Sequence, residues 1–187
     1  MAYLVPDADS TGTAVTFGAG TGQWDRLNSY GTPDDSNGIV WDNFAAVSIL
    51  VVRLSDPSVG VDEGQPIALK VRAGGFTKYS DPGDVTMGMS ASLYKGDPYV
   101  AGLLIKTLAF SRGQDEAFSE SSIALDAGDI EDVDGDWGNM FVEFHAPTYS
   151  GSSGSIDLKV SELALEYTET GGGGGARRRL LPLVGCG

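Results

Sequence analysis

The residue types that do chemistry in proteins are scarce in this sequence. Among 187 residues there is one histidine, His145, and one cysteine, Cys186. A nucleophile and its base must be held within hydrogen-bond reach, yet Cys186 follows five consecutive glycines, Gly171 to Gly175, which fix no geometry. His145 falls on the parity opposite Met140, Val142 and Phe144 and is expected at the surface of its strand. One His and one Cys cannot supply the four N and S ligands of a structural zinc. Neither a catalytic residue nor an organic cofactor is expected.

Acids are the abundant alternative. Asp126, Asp129, Glu131, Asp132, Asp134 and Asp136 form the densest cluster, with Glu143 following. Asp132, Asp134 and Asp136 take the first three alternate places of an EF-hand loop, and Glu143 takes the twelfth. Trp137, however, stands where that loop requires glycine, and Gly138 comes one place late. What remains is calcium held in an irregular loop by Asp132, Asp134 and Asp136, against a solvated acidic turn. Acid pairs for glycoside cleavage could arise anywhere among so many carboxylates, and none is singled out. Trp24, Trp41 and Trp137 are candidate glycan contacts as a stacking platform, although tryptophan in a sandwich also serves as core packing.

The elements that must position these residues read as strands. Apolar residues alternate at Ile67, Leu69 and Val71; at Met87, Met89, Ala91 and Leu93; at Met140, Val142 and Phe144; and at Ile156, Leu158 and Val160. Ser161-Glu162 breaks the last alternation before Leu163, Leu165 and Tyr167 resume it, which predicts a β-bulge. Segments 45–54 and 100–110 are apolar on both parities and are expected to be central strands, or strands covered on both faces. Between these segments lie turn clusters such as Ser55-Asp56-Pro57-Ser58, Gly96-Asp97-Pro98 and the glycine-serine run 150–154. No segment shows a helical period, and 122–130 is expected to make at most a short turn. Some eight or nine strands with hairpin-like links predict an all-β fold, an antiparallel β-sandwich of jelly-roll type with an extended C-terminal tail.

Charge divides the chain in two. Residues 1–170 hold nine Lys and Arg against all 26 acids, a balance of −17, whereas 171–187 hold +3. The expected organisation is a sandwich domain over 1–170, a polyglycine linker over 171–175 and a tail over 176–187. An acidic body argues against nucleic-acid binding through the main domain, because phosphate contacts need a cationic surface. The sequence contains no apolar run long enough to span a bilayer and no basic-then-apolar leader, so synthesis in a cytoplasm is expected. In the tail, Arg177, Arg178 and Arg179 precede an apolar plug of Leu180, Leu181, Leu183 and Val184, with Cys186 beyond it. Guanidinium forks and exposed leucines suit docking into an acidic, apolar groove on a neighbour.

The order of the turn motifs carries a resemblance. Tyr3-Leu4-Val5-Pro6-Asp7-Ala8-Asp9, Trp24 with Leu27, and Thr32-Pro33-Asp34-Asp35 open the chain. Leu54-Ser55-Asp56-Pro57-Ser58, Val71-Arg72-Ala73, Leu93-Tyr94-Lys95-Gly96 and Ile130-Glu131-Asp132 before 141–144 follow them. Over residues 3–167 this resembles a family of small β-sandwich virion structural proteins encoded by tailed bacteriophages and prophages. The chain departs from that pattern in a longer 74–84 loop and in the turn around Gly151. The resemblance implies a head decoration or cement protein, or a neck or tail accessory subunit. Such a protein would be assembled into the virion in the host bacterial cytoplasm, oligomeric, partnered by other virion proteins and without catalytic residues. A carbohydrate-binding module on a spike or fibre is the alternative expectation.

Overall fold

The computed structural model of the chain describes residues 1–9, Leu27, Asp35, 38–42, 49–77, 83–145, 148–151 and 156–170. Eleven strands form there: β1 (Ala2–Leu4), β2 (Pro6–Asp9), β3 (Ile39–Asp42), β4 (Leu50–Leu54), β5 (Ala68–Thr77), β6 (Thr86–Lys95), β7 (Leu103–Gly113), β8 (Ser119–Ala124), β9 (Met140–Phe144), β10 (Thr148–Ser150) and β11 (Ile156–Tyr167). Two short helical pieces, α1 (Ala127–Val133) and a 3-10 turn (Trp137–Asn139), stand between β8 and β9.

All pairings are antiparallel and fall into two sheets. In the first, β11 pairs with β5 on one side and with β3 and β1 on the other, and β5 also pairs with β8. In the second, β6 pairs with β7 on one side and with β9 and β10 on the other, then β9 with β4 and β4 with β2. Successive strands mostly change sheets, as the jelly-roll expectation requires. The inward residues of both sheets, among them Leu69, Val71, Met87, Leu93, Val142, Phe144, Leu158 and Leu165, make one buried cluster. Period-two alternation produces this arrangement directly, because successive side chains of a strand point to opposite faces.

The expected bulge is present. Val160 pairs with Ala73 and Glu162 with Arg72, leaving Ser161 over, so Leu163, Leu165 and Tyr167 return to the core face. Two expectations fail. Segment 100–110 is not a central strand: Val100 lies in a turn, and β7 pairs with β6 alone among the described residues. Its inward residues Ile105, Leu108 and Phe110 are buried, while Leu103 and Leu104 remain half exposed. Arg112 closes the end of this strand from inside, donating to Ala73 O (2.8 Å), Ser111 O (2.7 Å) and Ser119 O (2.7 Å). In segment 45–54, β4 covers 50–54, and residues 43–48 lie outside the described residues.

The second failure is α1, where the sequence shows no helical period. Local capping makes this helix. Asp126 accepts from Gly128 N (3.0 Å) and Asp129 N (3.2 Å), while the Asp129 carboxylate accepts from Asp126 N (2.7 Å). The helix ends at Asp134 and Gly135, both left-handed (φ 52° and 72°). With seven residues and only Ile130 and Val133 as large apolar side chains, it is too short to display a period.

Candidate functional site

Capping fixes what the acidic cluster can do. The Asp126 and Asp129 carboxylates are occupied by the helix end and by Lys106 Nζ (2.8 and 2.6 Å), which lowers the Asp126 carboxyl to about 2. Asp132 lies in the last turn of α1, Asp134 caps it, and Asp136 accepts from Asn139 Nδ2 (3.3 Å). Among the described residues no three acids, these included, are grouped so as to hold a metal ion. The end of α1 falls between Asp132 and Asp134, and the left-handed Asp134 and Gly135 redirect the chain before Asp136, so the three acids do not share one continuous loop.

The tryptophans are also placed by packing. Trp41 is fully buried and tilted against Phe144, with ring centres 5.5 Å apart. Trp137 is buried and donates from Nε1 to Glu63 Oε1 (2.8 Å). Neither ring offers a face to a sugar, which corrects the expectation for those two positions. Trp24, the docking candidates Arg177 to Val184 and Cys186 lie outside the described residues.

The polar group that the fold does assemble sits on the outer face of the second sheet. Outward parity puts Ser92 and Tyr94 of β6 beside Glu143 and Phe141 of β9, with Thr107 of β7 opposite Ser92. His145 follows β9 and is anchored by its N–H to Ser90 O (3.0 Å). The Ser92 hydroxyl meets Thr107 Oγ1 at 2.9 Å and His145 Nε2 at 3.0 Å, and Nε2 lies 3.4 Å from Glu143 Oε2. The Tyr94 hydroxyl is hydrogen-bonded to Glu143; burial first, then that bond and the carboxylate's charge, push it above the usual phenol range. Tyr99, in the turn after β6, is raised by burial and by the charges of Glu143 and Asp97. Although their positions face outward, Ser92 and Glu143 are only 2% and 8% exposed.

Ser92, His145 and Glu143 have the residue types of a hydrolytic triad, but their geometry differs from one. A triad imidazole holds the nucleophile at one nitrogen and the carboxylate at the other. Here the same Nε2 meets both, so the carboxylate does not stand behind the ring to accept its second proton. The group is a compact array of donors and acceptors edged by a half-exposed tyrosine. The outward parity of Ser92-x-Tyr94 and Glu143-x-His145 is legible in the sequence, but only the register of β6 with β9 and β7 brings these residues together.

The other polar cluster joins Asp35 to the outer face of the first sheet. Arg72 donates from Nε and Nη2 to both Asp35 oxygens (2.9 and 2.8 Å), Ser161 Oγ adds a bond at 3.1 Å, and Lys159 Nζ reaches Asp35 O (2.8 Å). Arg72 holds the Asp35 carboxyl below its ordinary range, and burial pushes Glu162 above its own. Opposed shifts in neighbouring acids can mark a hydrolase. Both Asp35 oxygens are already engaged, however, and Glu162 is 3% exposed, so the cluster pins Asp35 to β5 and β11.

No family model and no curated protein matches the sequence. Among solved structures, a non-crystalline cellulose specific carbohydrate-binding module (CBM28) is similar at 14% identity and TM-score 0.38, over 70% of this chain and 74% of that one. A structure described as CBM4 is similar at 8% identity and TM-score 0.34, over 76% and 92%. The enzymatically active domain of bacteriophage CBA120 tailspike protein 4 is similar at 14% identity and TM-score 0.34, over 73% of this chain but 16% of that one.

Proposed function

We propose that the protein is a non-enzymatic structural subunit of a tailed-phage particle, a head decoration or cement protein or a neck or tail accessory subunit. Its C-terminal segment would dock it to neighbouring subunits. One observation carries this reading: the hydrogen bonding of the sandwich runs to Thr170 and meets the polyglycine boundary there. Val61 bridges to Glu169, Asp62 N donates to Thr168 O (2.8 Å), and Thr170 N donates to Gly60 O (2.7 Å). A closed acidic domain thus hands over to a cationic, apolar segment of different composition, as a body with a tether would. Deleting 171–187 is expected to leave a cooperatively folding domain that no longer enters particles; incorporation at the full-length level overturns the docking role.

A second reading is favoured by the array on the second sheet. Ser92, Thr107, Glu143 and His145 offer hydrogen bonds in a half-sheltered site, and Tyr99 offers a ring at its edge, which suits a polyhydroxyl ligand such as a host-surface glycan. Glycan-array binding by the full chain that falls about tenfold or more in Tyr99→Ala supports it. Absence of binding to any glycan removes it.

A further inference from the structure

An unpaired row of N–H and C=O groups accepts another strand, and native sheets blunt such edges by shortness, charge or proline. Among the described strands with a single neighbour, β1, β3 and β10 are three or four residues long, β2 carries Pro6, Asp7 and Asp9, and β8 carries Glu120. β7 is the exception. It runs for eleven residues without an acid or a proline. Its two cations are used within the chain, Lys106 by Asp126 and Asp129, Arg112 by the carbonyl oxygens of Ala73, Ser111 and Ser119.

The direction of the β7 backbone follows from its far end. Gly113 turns both polar groups away from β6, donating from N to Glu116 Oε2 (2.7 Å) and accepting at O from Glu116 N (3.3 Å). Two residues back, Ser111 O accepts from Arg112 Nη1 (2.7 Å). In an antiparallel ladder alternate residues turn their N–H and C=O to the same side, so Ala109 and Thr107 also point away from β6. The 2.9 Å approach of the Ser92 and Thr107 hydroxyls agrees, because opposed residues that share no backbone hydrogen bonds have the closer side chains. Among the described residues no backbone group meets Thr107 or Ala109 on that side. Thr107, Ala109 and Ser111 are small, uncharged and exposed, so another strand can come close.

We propose that this edge pairs with the same edge of a second copy of the chain, β7 against β7 and antiparallel about a two-fold axis at Leu108. Thr107 of each copy exchanges its backbone hydrogen bonds with Ala109 of the other, and the two second sheets become one. Charge selects both the occupant and the place. Residues 1–170 carry −17, so two copies repel over most of their surface, whereas β7 brings no acid to the contact. A two-fold contact also closes on itself, which ends assembly at a dimer. The joined sheet carries two copies of the Ser92–Thr107 array on one outer face, their Ser92 residues about 16 Å apart by strand spacing and rise. This surface is independent of the virion reading and of any role for residues 171–187.

Sedimentation equilibrium and amide hydrogen exchange of the full chain, each followed over a range of concentrations, test it. A monomer–dimer equilibrium is expected, with the Thr107 and Ala109 amides fast to exchange in the monomer and protected in the dimer. Raising the salt from low to high should tighten the dimer, since it screens like charges. Ala109→Pro removes an outward N–H without touching the ladder to β6 and should weaken dimerisation about tenfold or more. A chain that stays monomeric, a dimer that loosens with salt, or a folded Ala109→Pro that dimerises as the parent does overturns the proposal. Protection of both amides in the monomer also overturns it, because the edge is then covered within one chain. Should Ala109→Pro fail to fold, the concentration dependence of those two amides in the parent decides alone.

Discussion

Glu162 sits beside the β11 bulge with its carboxyl almost wholly buried, and its Oε1 accepts no hydrogen bond among the described residues. Burial holds it above the ordinary carboxylate range; Arg72 pulls it back, while Asp35 and Glu120 push it further. A raised folded value makes stability fall as pH rises from the unfolded value through the folded one, because the native state must then ionise a sheltered group. Glu162→Gln is therefore expected to melt a few degrees above the parent at pH 7 and to match it at pH 4, where both side chains are neutral. A melting point below the parent's for this variant, in a thermal scan at pH 7, contradicts this. The break in alternation at Ser161-Glu162 disclosed the bulge from sequence alone. That it would bury an acid was not legible, because Arg72 and Asp35 are remote in the chain and their meeting depends on the tertiary fold. The same holds for Trp41 and Trp137, whose type suited a stacking platform and whose positions made them core.

The long strands β5, β6 and β11, and β9, were legible because alternation records their buried face, whereas β1, β2, β3, β8 and β10 are too short or too exposed to show one. Segment 100–110 misled because a turn and an edge strand with exposed leucines look the same, one residue at a time, as a strand covered on both faces. Helix α1 was hidden for the opposite reason: its cause is a capping pair, Asp126 with Asp129, rather than a periodic stripe. A further requirement shows only in three dimensions. Where β5 passes the β7–β8 connection, Gly75 N donates to Glu116 O (2.9 Å), and a Cβ on Gly75 would come 2.0 Å from Gly113 O. The closest atoms belong to the Gly113 backbone, which cannot swing aside as a side-chain end could. Gly75→Ala is expected to cost about 2–3 kcal/mol in urea unfolding, as overpacking does. Gly135→Ala, with left-handed φ but no atom within 4 Å of the added carbon, should cost less, about 1 kcal/mol. Equal losses at the two sites would mean that β5 can move away from the connection.

The described residues form an acidic sandwich whose two sheets and core follow from alternation, turns and three register shifts, of which the sequence disclosed the one at Ser161. The division of charge at the polyglycine run was plain in the sequence, and among the described residues the sandwich's hydrogen bonding reaches Thr170, next to that run. The outer-face array of Ser92, Thr107, Glu143 and His145 became visible only once three strands were set in register. The virion reading depends on the assembled state, so it is tested there. A cryo-electron-microscopy reconstruction of particles from cells expressing this chain is predicted to show the sandwich at symmetry-repeated positions, with density for 176–187 lodged against an adjoining subunit. Particles that lack the chain, or in which 176–187 touches no other subunit, would contradict the account.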